Sequence, residues 1–239
     1  MNPILAGVAL AVTVGAVLAI SARESRAGLV GLAIALAAAP FLAAPIPNVS
    51  TLAMRVIGAA LAAYLVRAAV ATGPGLPARP WSEPTRGGSQ LGWPAEGLLA
   101  IAAWIVGVAV SARLEVLSPA GSGIPPGDVF GLLTPEALAT GAGLASIVLG
   151  LVATFAARSA VRTTIGALIL SQGLLLVRIG VAGAPSDLEQ LAGVALLLAI
   201  AIAGGVLLGA EGQRGADDVS STESNPRLSG SGRMNPGDR

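Results

Sequence analysis

The sequence predicts an all-α fold, a polytopic transmembrane bundle of about seven spanning helices, and three observations carry that reading. Of the 239 residues 54% are hydrophobic and only 11% are charged, against roughly a quarter charged in soluble domains. The apolar residues fall into stretches of 18 to 21 residues, close to the ~20 that cross a ~30 Å hydrocarbon layer as a helix. The arginines gather in alternate connections between those stretches, as cytoplasmic loops do.

The stretches, in chain order, are Pro3–Ile20, Ala27–Ile46, Leu52–Ala71, Trp93–Ala112, Leu138–Ala157, Val161–Val181 and Leu191–Ala210. Helices are expected because lipid satisfies no backbone N–H or C=O. The first stretch reads as a span; the alternative is a signal peptide, which is disfavoured because Met1-Asn2-Pro3 carries no basic residue and the apolar run exceeds a usual signal core. In the second stretch, Pro40 is expected to kink the helix. Residues 72–92 and 113–135, rich in Pro and Gly, read as long irregular connections. Arg158-Ser159-Ala160 is short enough to force a tight antiparallel hairpin. Residues 211–239 are polar and rich in Gly, Ser, Asp and Arg, so they read as a disordered cytoplasmic tail after a membrane domain of residues 1–210.

Arg23, Arg26, Arg79, Arg86, Arg158 and Arg162 share one side of a seven-span chain. The positive-inside rule places that side in the cytoplasm, with the N-terminus outside and the C-terminus inside. Every basic residue is Arg, and Ala, Gly and Leu dominate the spans. This usage fits a GC-rich bacterial coding bias, so the bacterial inner membrane is the expected location.

The composition also excludes chemistry. The chain has no His and no Cys, so imidazole or thiolate metal sites, iron–sulfur clusters and Cys or His catalysis are ruled out within it. No catalytic, cofactor-binding or metal-ligating residue is expected, and no cofactor. A formal charge of +1 gives no field for nucleic acid. Membrane lipid and other membrane subunits are the expected partners.

Four residues stand out as candidate intramembrane polar contacts. Ser171 and Gln172 form the one polar pair at the centre of a span. The bland reading is an interhelical hydrogen bond worth roughly 0.6–2 kcal/mol; the alternative is a functional site. Glu96 and Arg178 lie one turn inside helix ends. They read either as interfacial anchors that snorkel, like Arg55 and Arg67, or as contacts to a partner subunit or a lipid head group. Small residues recur every fourth position at Gly7, Ala11, Gly15 and Ala19, and at Gly205 and Gly209, a spacing that lets helix backbones approach.

The last three spans carry a family resemblance. An Arg-bearing turn leads into Ile165-Gly166-Ala167-Leu168-Ile169-Leu170-Ser171-Gln172-Gly173-Leu174-Leu175-Leu176. Ala184-Pro185 follows, then a final span ending in Val206-Leu207-Leu208. This order resembles the three-helix module of the complex I subunit K family. The seven-span layout, with its polar turn Arg23-Glu24-Ser25-Arg26, is similar to hydrogenase-4 component E. Those families carry a carboxylate where Ser171 stands here, an Asn where Gln172 stands, and a second acid near the position of Leu197. Proton relays need a titratable group. The resemblance therefore implies a noncatalytic scaffold subunit beside a larger antiporter-like or quinone-linked subunit. The alternative is a stand-alone small membrane protein or a transporter, for which a polar midplane site or an internal repeat would be the expected mark.

Overall fold

A computed structural model describes residues 3–22, 25–43, 48–72, 92–117, 134–157, 159–183 and 185–223. The long connections expected at 72–92 and 113–135 fall mostly outside these residues, as do Arg23, Arg158, Ala184 and residues 224–239.

The described chain is all helical. Its elements are α1 (Pro3–Ser21), α2 (Ser25–Ala38) with a 3-10 turn (Ala39–Leu42), α3 (Val49–Thr72), α4 (Trp93–Leu117), α5 (Pro135–Phe155), α6 (Ala160–Ala182) and α7 (Asp187–Glu223). Among the described residues six helices, all but α2, are long and apolar enough to cross a membrane. The chain is therefore a multi-pass membrane protein.

The second expected span is shorter than anticipated. Its α-helix stops at Ala38, and Pro40 sits at the start of the 3-10 turn that finishes the segment. Proline offers no N–H and crowds the carbonyl one turn back, so the last turn tightens instead of continuing. Arg26–Leu42 is about 27 Å long, at 1.5 Å per α-helical residue and about 2.0 Å per 3-10 residue, just under the ~30 Å of a hydrocarbon core.

Other boundaries follow caps that lie outside the apolar runs. α5 begins three residues earlier than its apolar stretch. Thr134 accepts a hydrogen bond from Ala137 N at 3.2 Å, Pro135 takes the first helical position and Glu136 the next, each favoured at a helix start. α7 begins at Asp187 through a capping box. Ser186 N donates to Glu189 Oε2 at 2.8 Å, and Glu189 N donates to Ser186 Oγ at 3.4 Å. α6 ends at Gly183, whose φ of 79° is a left-handed backbone that a side chain resists.

At its far end α7 enters the polar segment expected as a tail. The helix does not stop at Ala210 but runs on to Glu223, so residues 211–223 are helical. No proline interrupts Glu211–Glu223, and the helix ladder of a long span propagates into polar sequence more readily than a new helix nucleates.

The packing is built from small residues. Half or more of α5 and α6 is buried, against 22% of α4 and α7, so the α5–α6 hairpin is the centre of the bundle. Its seam is glycine on glycine. A Cβ added to Gly143 would lie 2.9 Å from Gly173 O, and one added to Gly150 would lie 2.8 Å from Gly166 O. α1 and α2 meet the same way through Gly15 and Gly31. Of the four-residue stripes expected from the sequence, Gly15 is used, but no described atom lies within 4 Å of a Cβ at Gly7 or Gly209. Large apolar side chains point outward instead, among them Leu98, Ile101, Ile105, Leu196, Ile202 and Val206. Small inside and large outside is the arrangement lipid permits, because lipid exerts no hydrophobic force between helices.

Candidate functional site

Polar side chains converge at the end of the bundle where α6 finishes and α3 and α7 begin. A cavity of about 30 Å³ opens there, with Pro40, Arg55, Gln172, Arg178, Glu189 and Gln190 in its wall and apolar residues between them. That is room for about two waters.

Hydrogen bonds between the end of α6 and the start of α7 tie one side of the cavity together. Arg178 Nη2 donates to both carboxylate oxygens of Glu189 at 2.7 Å, while its Nη1 donates to Gly183 O at 2.9 Å. Glu189 is also the capping residue of α7, so a single carboxylate ties α6, the turn and α7 together. Gln190 Nε2 donates to Pro185 O at 3.1 Å, which leaves its Oε1 buried without a partner among the described residues.

Arg55 comes from the second turn of α3. Its sequence position suggests a snorkelling anchor, but the residue is only 6% exposed and its Nη1 has no described hydrogen-bond partner. The close approach of α3 to α7, where a Cβ at Gly58 would lie 2.6 Å from Val194 Cγ1, turns that face of α3 inward.

The four residues singled out in the sequence separate. Ser171 is buried, and its hydroxyl donates to Leu168 O at 2.9 Å. The hydrogen bond expected between helices is thus made within α6, as Ser and Thr in helices commonly do. Gln172 is buried, lines the cavity and makes no hydrogen bond with a described residue. Arg178 joins it there. Glu96 lies at the start of α4, toward the opposite end of the bundle. It does not snorkel: it is fully buried, and both carboxylate oxygens lack a described partner.

That opposite end also holds an unexpected staple. Ser159 precedes α6 without making a side-chain cap. Glu211 of α7 supplies the acceptor from afar, taking the Ala160 N–H at 3.1 and 3.3 Å. The carboxylate satisfies a donor that the helix leaves open and faces the positive end of its dipole.

Among the described residues no group of acidic, His or Cys side chains could hold a metal ion. The cavity's chemistry is that of binding: one paired and one unpaired guanidinium, two amides and apolar walls. Comparison with protein-family models, curated proteins and solved structures finds no match to this chain.

Proposed function

We propose that this chain is a noncatalytic scaffold subunit of a hydrogenase-4-like or complex I-like membrane complex, packed beside a larger antiporter-like or quinone-linked subunit. In this reading it lies in the bacterial inner membrane with its N-terminus outside and its C-terminus inside. The observation that carries the proposal is the centre of α6, the helix with the family-like run. Where the resembled families hold a carboxylate, Ser171 stands with its hydroxyl committed to its own backbone. Neither Ser nor Gln titrates near neutral pH, so neither stores a transferable proton. What remains of the module is a tightly packed helical hairpin.

The test is purification of the tagged full chain from its own membranes in mild detergent, with identification of the chains that accompany it. Antiporter-like or hydrogenase-like subunits at near-stoichiometric yield are the expected result. Recovery of the chain alone, as a discrete particle, overturns the reading in favour of a stand-alone membrane protein.

A further inference from the structure

The cavity beside the α6–α7 turn contains a charge that its described wall residues do not balance. Its charged wall residues are Arg55, Arg178 and Glu189. Arg178 and Glu189 neutralise each other at 2.7 Å, so one positive charge is left over, on Arg55. Arg55 as a residue is 6% exposed, and its Nη1 is buried with no described partner. Arginine stays charged in proteins, and a buried ion without a counter-ion is among the least favourable arrangements a fold can hold. Water in the cavity supplies hydrogen bonds but no opposite charge.

We propose that this cavity binds a singly charged anionic group, with Arg55 as its counter-ion. The inference is independent of the scaffold reading. Charge sets the valence, because one unmatched cation calls for one negative charge. Size sets the bulk, since about 30 Å³ admits a halide, or the nonbridging oxygens of a phosphate ester inserted from the mouth. The Gln172 amide, without a hydrogen-bond partner among the described residues, offers N–H donors to the same group. The walls between these polar residues include Leu36, Ala59 and Leu197, and an apolar surround strengthens attraction between opposite charges. At the rim, the Arg178–Glu189 pair is 36% and 44% exposed, which leaves a way in from the membrane interface. The anion has two sources with the same chemistry: a free small ion, or the phosphodiester of an anionic lipid.

The two sources separate by thermal unfolding of the purified full chain in neutral detergent. One arm titrates sodium chloride against sodium gluconate at constant ionic strength. The other adds phosphatidylglycerol or, as a control, phosphatidylcholine. A saturable rise in unfolding midpoint with chloride assigns a free ion; a rise with phosphatidylglycerol alone assigns a lipid head group. Arg55→Gln is expected to abolish the rise. Gln172→Leu keeps the charge and is expected to raise the half-saturating concentration about tenfold, the size of one hydrogen bond to a charged group, so it serves even where Arg55→Gln does not accumulate. Indifference of the native chain to every anion, a rise that survives Arg55→Gln, or an unchanged half-saturation in Gln172→Leu overturns the proposal.

Discussion

Replacing Gly173 by alanine is expected to destabilise the chain sharply, while the same change at Gly7 passes almost unnoticed. A Cβ at Gly173 would lie 2.7 Å from Gly143 O and 2.8 Å from Ile147 N. Both obstacles are backbone atoms of α5, so no side chain can rotate away and the helices must part. Overpacking of this kind costs about 1–3 kcal/mol. Alanine returns at most about 1 kcal/mol over glycine through helix propensity, so the clash wins. Gly150→Ala meets Leu170 N at 2.7 Å and is expected to behave alike. At Gly7 and Gly209 no described atom lies within 4 Å of the new Cβ, and a change within about 0.5 kcal/mol is expected. Unfolding in mixed detergent micelles measures all four. Equal tolerance at Gly173 and Gly7 would mean that the α5–α6 seam is not the centre of the bundle.

Glu96→Met is expected to act in the opposite direction and raise the stability of the isolated chain. The carboxylate is fully buried, and neither oxygen has a described donor. An unsatisfied buried polar group carries a penalty of about 1–3 kcal/mol, more when charged, and Met removes it at similar volume. Glu96→Gln, which leaves an amide to satisfy in the same place, is expected to gain less. The same unfolding assay decides the matter. A Glu96→Met chain that unfolds more easily than the native one shows that the carboxylate already has a stabilising partner, and the reading of an orphaned group is then wrong.

These two sites mark where sequence reading reaches and where it stops. The helical class was plain because span length and apolarity are local properties, and Pro40 announced a break for the same reason. Helix starts were harder. Thr134-Pro135-Glu136 and the Ser186…Glu189 capping box are polar, so an apolar-run criterion passes over them although each is a local signal. The glycine seam was missed for a similar reason. Gly143 and Gly150, and Gly166 and Gly173, recur at seven residues, not at the four-residue spacing of a small-residue stripe. An opposite-charge pair flanking a Gly-x-Pro turn could have pointed to Arg178 and Glu189. The cavity itself was not legible. Arg55 enters it only because α3 packs against α7, a contact between elements more than a hundred residues apart. Glu211 belonged by composition to a polar tail, and only the fold shows it capping α6.

The proposed scaffold role requires that this chain pack and not conduct protons. Proton flux through liposomes reconstituted with the purified chain, read by an enclosed pH-sensitive dye under an imposed gradient, tests it most directly. The expected result is decay of the gradient at the rate of protein-free liposomes, unchanged by Gln172→Leu. Faster decay with the native chain, slowed by Gln172→Leu, would place a live ion path along α6 and contradict the noncatalytic reading.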